Sequence, residues 1–372
     1  MGSFRTYPYR KLAKPLLFRL SPDTAHEYTM KISHLFGRIP GLASLSKAVF
    51  VRRHKMLEST WDSLHFSSPL GLSAGIDKNG QMVTLSHAVG FGFSTVGSVT
   101  SEPCAGNPRP WFYRLPKTQS IVVHAGLPNI GVHSVLARVH KISKRVQGTF
   151  PVVLSVARTN SKDASGIKEG IDDYVASIRT AKDSPVVRII ELNISCPNAY
   201  GGESYTTPDL LEELLSAVET VKSPQPILVK MPVDLEWPAF DALLKVISKH
   251  HVAGVTIANL TKQRAKATLK ESLSDDIKGG LSGAPVRDLS TALIRRTYET
   301  YGDRLTIFGV GGVFTAEDAY EKICNGARYV ELATGLILYG PGVVEEINSG
   351  LQKLLRRDGF THVSQAVGSA VA

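Results

Sequence analysis

The sequence predicts an α/β fold, namely an eight-stranded (β/α)8 TIM barrel with a small N-terminal helical extension. From residue 69 onward, eight short apolar runs alternate with stretches of helical pattern, and most of the runs are continuous. Continuous apolar runs are typical of parallel strands that are buried on both faces. A doubly wound open sheet is the alternative, but no GxGxxG turn follows the first run, so the closed barrel is favoured.

The barrel elements follow in chain order. The predicted strands are Pro69–Gly75, Phe93–Val99, Pro151–Val156, Arg188–Ile194, Pro226–Met231, Ala253–Ala258, Leu305–Val310 and Arg328–Ala333. Helices are predicted at Pro208–Val221, Trp237–His250, Val286–Tyr301 and Ala316–Asn325. Residues that directly follow the strands should meet at one end of the barrel, where the active sites of this fold lie.

The connection Thr100–Phe150 after the second predicted strand is long for a barrel loop. Within it, Trp111–Leu115 and Ile121–His124 predict a hairpin, and Val132–Val146 predicts a helix. Long excursions at this end of a barrel are usually functional, so we expect a functional role for this one.

Residues 1–60 form a second segment, distinct in composition from the barrel at 61–372. They carry eleven Lys or Arg residues and only three acidic ones, so most of the whole chain's net charge of +10 lies in this segment. Tyr7–Leu20 and Thr24–Gly37 predict two short helices with an apolar patch beside the basic residues. Such a pair can lie in a membrane interface without spanning it, so we expect peripheral membrane contact through residues 1–37. Packing of both helices on the barrel is the alternative.

Composition narrows the classes of function. The chain is 43% hydrophobic and 20% charged, as soluble globular proteins are. The sequence has no run of about 20 uncharged apolar residues that could span a bilayer. Its three cysteines are far apart and form no CxxC pair, so neither a disulfide framework nor a metal site is expected. The basic segment lacks the interleaved aromatic residues of nucleic-acid-binding surfaces, and no nucleic-acid partner is expected. A peripheral membrane or cytoplasmic location fits these features.

Glycines follow the last two predicted strands. Gly311 and Gly312 come after the seventh strand, and Thr334 and Gly335 come after the eighth. Loops at these two positions commonly bind phosphate in barrels, because backbone N–H groups approach the ligand closely and a threonine adds a hydroxyl. A phosphate site is therefore predicted, with ordinary tight turns as the alternative.

Two lysines, Lys78 and Lys230, stand at the ends of the first and fifth predicted strands. A buried ammonium needs an anionic or electron-rich partner. A reduced flavin or a substrate carboxylate would fit, and a structural ion pair with a nearby aspartate is the alternative.

Cys196 follows the fourth predicted strand, within Asn193-Ile194-Ser195-Cys196-Pro197-Asn198. A thiol tuned by its neighbours can act as a base or nucleophile, although most lone cysteines are inert small hydrophobes. The amides of Asn193 and Asn198 each offer a donor and an acceptor, which suits a planar ring with carbonyl and N–H groups. Because a glycine-rich stretch follows at 199–203, these features predict a catalytic base carried on a hinged lid.

Five blocks together resemble the dihydroorotate dehydrogenase family in both order and spacing. They are Leu70-Gly71-Leu72-Ser73-Ala74-Gly75-Ile76-Asp77-Lys78-Asn79-Gly80, Gly106-Asn107-Pro108-Arg109-Pro110, Asn193–Asn198, Gly279-Gly280-Leu281-Ser282-Gly283 and Gly309-Val310-Gly311-Gly312. The N-terminal block Pro15–His26 is similar to the membrane-associated, quinone-using branch of the family. Cys196 and Gly126-Leu127-Pro128-Asn129 are instead similar to the soluble branch.

The resemblance implies that FMN binds at the barrel mouth and that Cys196 removes a substrate proton while a hydride passes to the flavin. It implies oxidation of dihydroorotate or a related ring, with a quinone or another electron acceptor. The substrate-pocket positions that match are Lys78, Asn193, Asn198 and Asn259, and Val123 and Leu127 are expected in the same pocket. The matching cofactor positions are Ala74, Gly75, Lys78, Ser98, Asn193, Lys230, Gly283, Gly312, Thr334 and Gly335, and Ser155 and Gly311 are also expected at the cofactor.

Several positions depart from the family pattern. Val123 and Ser155 stand where the family has asparagines, and a valine cannot pair with a buried ring carbonyl, a loss of about 1–3 kcal/mol. Further departures, in the pocket and on the acceptor side, are Ala258, Leu260, Trp111 and Ala333. Three interpretations stay open: a dihydroorotate dehydrogenase, a diverged dehydrogenase or ene-reductase with a more apolar substrate, and a flavin-binding protein without turnover.

Overall fold

The computed structural model describes residues 6–146, 150–196, 200 and 205–371. The predicted barrel forms the centre of the molecule. In chain order the strands are β1 (Ser59–Trp61), β2 (Leu64–Phe66), β3 (Leu70–Leu72), β4 (Phe93–Val99), β5 (Phe112–Leu115), β6 (Ser120–Val123), β7 (Val152–Val156), β8 (Val187–Asn193), β9 (Ile227–Met231), β10 (Gly254–Ile257), β11 (Gly280–Leu281), β12 (Thr306–Val310) and β13 (Tyr329–Leu332). Eight of them close into a barrel in the order β10-β12-β13-β3-β4-β7-β8-β9. All neighbouring barrel strands are parallel, and each predicted run coincides with one of them to within a few residues.

Helices surround the barrel and cover its mouth. They are α1 (Lys14–Leu17), α2 (Pro22–Phe36), α3 (Leu42–Phe50), α4 (Val83–Val89), α5 (Val132–Val146), α6 (Ile167–Ala181), α7 (Pro208–Glu219), α8 (Trp237–Lys249), α9 (Arg287–Tyr301), α10 (Ala316–Cys324), α11 (Thr334–Tyr339), α12 (Val343–Arg357) and α13 (Val363–Ala366). Where a helix was predicted in the barrel, one begins and ends close to the predicted bounds. Within the described part of the chain, no helix has the length and apolar character needed to cross a membrane.

The N-terminal end of the barrel is sealed by the β1–β2 hairpin, which the apolar runs did not predict. Trp61 and Phe66 of this hairpin are buried among aromatic residues at the bottom of the barrel. The ring centroids of Phe66 and Tyr329 lie 4.3 Å apart, and those of Trp61 and Phe308 lie 5.6 Å apart. Because this end is filled with side chains, the open end of the barrel is the one at the strand C-termini.

The long connection after β4 forms the predicted hairpin and helix. Strands β5 and β6 pair antiparallel, and β6 also pairs with β11 through Val123 and Gly280, making a small three-stranded sheet. Helix α5 follows with the predicted bounds. The small sheet brings Val123 and Leu127 to the barrel mouth.

The N-terminal segment packs against the mouth of the barrel. A π-helical turn at Tyr9–Ala13 leads into α1, and α2 begins after Ser21, whose Oγ accepts a hydrogen bond from the backbone N–H of Thr24. The Asp23 carboxylate accepts a hydrogen bond from the Trp111 backbone N–H at 3.0 Å, which ties α2 to β5. The prediction of two helices was incomplete, because α3 is a third. Its serine content and outward-facing Leu45 and Val49 weaken the apolar pattern.

Candidate active site

Two adjoining cavities lie at the C-terminal end of the barrel strands. The larger, of about 330 Å³, extends from the barrel mouth past the β5–β6 hairpin to helices α1 and α2. The smaller, of about 80 Å³, lies under the loops that follow β12 and β13. Lys230 and Thr334 border both cavities, so a single ligand could reach from one into the other.

Most of the predicted site residues meet at these cavities. The larger is lined by Ala74, Gly75, Lys78, Ser98, Val123, Leu127, Asn193, Cys196, Lys230, Asn259 and Thr334. The smaller is lined by Ala74, Lys230, Asn259, Gly283, Gly311, Gly312, Thr334 and Gly335. Ser155 is buried outside the lining of both and reaches the site through a hydrogen bond to Ser98. Asn198 and most of the predicted glycine-rich lid lie outside the described residues.

Asn193 and Asn259 belong to one hydrogen-bond network. The Asn193 side-chain N–H donates to Ser98 Oγ at 2.8 Å, and Ser98 Oγ lies 2.9 Å from Ser155 Oγ. The Asn259 side-chain N–H donates to the Ser195 carbonyl at 2.8 Å and to Asn193 Oδ1 at 3.2 Å. Because these bonds fix both amide planes, each presents its remaining donor or acceptor to a ligand in one orientation.

Lys78 places a buried ammonium at the wall of the larger cavity. Its Nζ donates to the Gly75 carbonyl at 2.6 Å and lies 5.0 Å from the centre of the Phe112 ring. Burial lowers the pKa of Lys78 to about 8, although the negative charges of Asp77 and Asp23 act in the opposite direction. The group is therefore mostly protonated at neutral pH and can bind an anion.

Lys230 is a buried cation between the two cavities. Only 5% of it is exposed, and its Nζ makes no hydrogen bond to the described part of the chain. Nearby, Gly75 has φ +96°, and a Cβ added there would meet no atom within 4 Å, so its backbone leaves room for a ligand. A Cβ on Gly312 would instead lie 2.3 Å from Arg287 Cβ, so this turn requires glycine. The surroundings thus offer a positive charge and close backbone approach to a large anionic ligand.

Cys196 lies three residues beyond the end of β8, half-buried in the wall of the larger cavity. The residue before it is anchored, because Ser195 Oγ donates to the Lys230 carbonyl at 2.8 Å. The end of β8 is also held, because the buried Tyr174 hydroxyl donates to the Asn193 carbonyl at 2.8 Å. The thiol therefore sits on a positioned backbone and borders the same space as the Lys78 ammonium.

The family of this chain follows from its similarity to known proteins. The family profile described as dihydroorotate dehydrogenase matches residues 56–355. The chain belongs to the dihydroorotate dehydrogenase family. Members of this family are FMN-dependent oxidoreductases that act on a carbon–carbon single bond, so the enzyme class implied by the resemblance is confirmed.

Curated members of the family match nearly the whole chain. A dihydroorotate dehydrogenase (quinone) from Deinococcus deserti is 35% identical over 370 residues, which cover 97% of this chain and 99% of that one. The corresponding protein from Myxococcus xanthus is 36% identical over 363 residues, covering 96% and 97%. A crystal structure of dihydroorotate dehydrogenase (DHODH) from Eimeria tenella in complex with ferulenol superposes on this chain with a TM-score of 0.84. The two chains are 25% identical, and the match covers 95% of this chain and 98% of that one. The similarity therefore includes the N-terminal helices.

One wall of the larger cavity is apolar. Val123, Ala125 and Leu127 of the hairpin region border the cavity, and Leu260 borders it from the loop after β10. None of these side chains can form a hydrogen bond. A ligand at the barrel mouth therefore meets the ammonium of Lys78 and the amides on one part of the wall and hydrocarbon on another.

The larger cavity also contains residues that the sequence motifs did not single out. Tyr9, His26, Phe112 and Arg114 line it from the N-terminal segment and the hairpin. Burial, with the nearby charges of Lys78 and Arg109, lowers the pKa of His26 to about 3, so this histidine is neutral at neutral pH. The Pro15–His26 block and the predicted hairpin pointed to this region, but a sequence does not show how a separate helical segment docks on a barrel.

Proposed function

We propose that this chain oxidises dihydroorotate, or a closely related ring, with FMN as the hydride acceptor and Cys196 as the base. The observation that carries the proposal is the convergence of a thiol, a buried ammonium and two fixed amides on one cavity. That cavity adjoins a glycine-lined pocket suited to phosphate.

The residues of the two cavities fit FMN. The phosphate would be bound by backbone N–H groups of Gly283, Gly311, Gly312 and Gly335 and by the Thr334 hydroxyl, whose Oγ1 lies 2.8 Å from Ser282 Oγ. The ring would lie along Ala74, Gly75, Ser98 and Asn193, with the Lys230 ammonium beside it. A buried cation without a hydrogen bond to the described residues supports this assignment, since such a group needs an electron-rich partner. Bound FMN supplies a two-electron acceptor for a hydride.

The chain's own residues bind and orient the substrate. Protonated Lys78 attracts its carboxylate, while Asn193 and Asn259 offer fixed hydrogen-bonding groups to the ring amides. Asn198, outside the described residues, is proposed as a further contact. Cys196 takes the proton from the carbon next to the one that loses the hydride, so that a double bond forms between the two carbons.

The base assignment is tested with Cys196→Ser. Because an alcohol is a far weaker acid than a thiol, flavin reduction by dihydroorotate should slow, and its pH profile should move to higher pH. Reduction is followed anaerobically by stopped-flow absorbance at a series of pH values. Cys324→Ser is the matched control, because Cys324 on α10 lines neither cavity. Equal profiles for the wild type and Cys196→Ser would remove the thiol from this role.

We further propose that residues 1–60 admit the electron acceptor, a quinone or a similar apolar compound, from a membrane surface. The part of the larger cavity beside α1 and α2 is lined by Leu17, Phe18 and Met30, which supports an apolar acceptor. Of thirteen large hydrophobic side chains that are exposed in the described chain, ten lie between Tyr7 and Val49. The relatives named as quinone enzymes support the same acceptor class.

The apolar wall favours one alternative substrate. If Val123, Leu127 and Leu260 face the ring, a less polar ring would bind with fewer unpaired groups than dihydroorotate does. The chain would then act as a dehydrogenase or ene-reductase on that compound, with the same base and cofactor. A panel of ring compounds, each tested as a flavin reductant or oxidant, distinguishes the two.

A further inference from the structure

The interior of the barrel contains two buried carboxylates that the proposed reaction does not use. Glu191 on β8 and Glu331 on β13 are at most 1% exposed, and Thr95 on β4 and Thr256 on β10 are fully buried. These four come from alternate strands of the barrel, as one layer of inward-pointing side chains does. The hydroxyl of Thr95 donates to Glu331 Oε1 and that of Thr256 donates to Glu191 Oε2, both at 2.7 Å.

Each carboxylate keeps a second oxygen that has no hydrogen-bond partner among the described residues. Glu191 Oε1 and Glu331 Oε2 are buried and make no hydrogen bond to the described residues. Ionisation of Glu331 in this position is costly, whereas the protonated form carries less charge to desolvate. Burial first, and then the charge of Glu191, raises the pKa of Glu331 to about 7, while Lys230 lowers it.

The groups that face Glu331 define its electrostatic environment. The charged ones are Glu191 from β8 and Lys230 from β9, and the neutral hydroxyls are Thr95 from β4 and Ser73 after β3. Lys322 of α10 lies on the outer side of the barrel wall, where its Nζ donates to Ser290 and Thr291 of α9. Glu331, Ser73 and Lys230 all line the smaller cavity, so the carboxyl group borders the space assigned to the cofactor.

We propose that Glu331, paired with Glu191, takes up one proton when the flavin beside Lys230 is reduced and releases it when the flavin is reoxidised. The inference rests on the FMN site of the proposed function and not on the identity of the substrate. A hydride brings two electrons and one proton to the flavin, so the ring gains one negative charge. That charge competes for Lys230 and raises the proton affinity of the nearby carboxylate, which binds one proton from water. Glu331 would thus adjust the charge beside the flavin site.

The test measures the midpoint potential of the bound flavin against pH, from about 5.5 to 8.5, in the purified holoenzyme. One additional proton bound per two electrons steepens the slope by about 30 mV per pH unit over the interval in which Glu331 titrates. The wild type and Glu317→Gln, a substitution of an exposed carboxylate on α10, should both show this segment. Glu331→Gln should lose it while keeping the hydrogen-bonding shape. The same slope in Glu331→Gln as in the wild type would overturn the proposal.

A second measurement uses the unaltered protein, in case the substitution disturbs folding. The infrared difference spectrum between the oxidised and reduced holoenzyme should gain a carboxylic-acid carbonyl band near pH 7, shifted in heavy water. A spectrum without such a band would overturn the proposal. Both measurements reduce the flavin with mediators at an electrode, so a protein that does not oxidise dihydroorotate can still support it. A folded chain that takes up no FMN would contradict the proposal and the proposed function together.

Discussion

At the scale of single residues, the chemistry of the site depends on which wall of the cavity carries polar groups. Lys78, Asn193 and Asn259 are fixed by hydrogen bonds to the backbone or to one another, so they can bind a planar, charged ring in one orientation. Val123 and Leu127 also line the cavity, but their side chains have no hydrogen-bonding group. The balance between these two walls decides whether dihydroorotate is bound well.

Replacing Val123 with asparagine should improve dihydroorotate turnover. An amide at this position can pair with a ring carbonyl or N–H that valine leaves unpaired, and recovery of about 1.4 kcal/mol corresponds to about a tenfold gain in kcat/KM. Steady-state kinetics with dihydroorotate measure the change. Val123→Ala is the control, because it enlarges the cavity without adding a polar group. If Val123→Asn gains no more than Val123→Ala, the valine does not limit this substrate.

Anion binding should weaken as the pH rises through the pKa of Lys78. Burial lowers this pKa to about 8, so the ammonium is present below that pH and lost above it. Orotate affinity, measured from the change it causes in the flavin spectrum, should fall by up to about tenfold per pH unit above 8. Lys78→Arg keeps its charge throughout this range and should bind with little pH dependence. A flat profile for the wild type would show that Lys78 does not hold the anion.

At the scale of elements, the site combines the barrel mouth with two attached parts. The β5–β6 hairpin was predictable, because its two apolar runs are separated by a short polar turn inside a long connection. Helix α3 was not, because its serines and its outward-facing Leu45 and Val49 weaken the apolar pattern. The β1–β2 hairpin was not, because two three-residue strands are too short for periodicity to distinguish. The positions of His26 and Arg114 at the cavity could not be predicted either, since they depend on how α2 and the hairpin dock.

The N-terminal helices should bind anionic membranes through their exposed apolar side chains. Leu16 and Ile32 are 63% and 65% exposed, and the segment around them is basic. The double variant Leu16→Gln/Ile32→Gln should lower partitioning into anionic vesicles about tenfold or more, since each leucine-sized side chain contributes up to about 1.5–3 kcal/mol when fully buried. Vesicle co-sedimentation measures the partition coefficient.

The control for this membrane prediction alters two exposed apolar residues elsewhere on the surface. Ile167 and Leu289 are 44% and 45% exposed and lie on α6 and α9. Ile167→Gln/Leu289→Gln should bind vesicles as the wild type does. An equal loss in both double variants, or no loss in either, would contradict a specific contact through the N-terminal segment.

At the scale of the whole molecule, the barrel has one sealed end and one functional end. Its architecture was predictable because it depends on eight repeated units, so an uncertain boundary in one strand leaves the pattern intact. The carboxylates of the barrel interior were not singled out, because Glu191 and Glu331 interrupt their apolar runs only once each. Which inward-pointing residues share a layer depends on the register of the closed barrel, and this register is a property of the complete fold.

We expect a flavin to bind at the barrel mouth opposite a thiol and to accept a hydride from a dihydroorotate-like ring. Anaerobic addition of dihydroorotate to the purified protein tests it most directly. The protein should be yellow with about one FMN per chain, and the flavin absorbance should bleach within seconds to minutes of addition. A folded protein that stays colourless in excess FMN would contradict the cofactor site. A bound flavin that dithionite reduces but neither dihydroorotate nor any related ring reduces would contradict the proposed reaction.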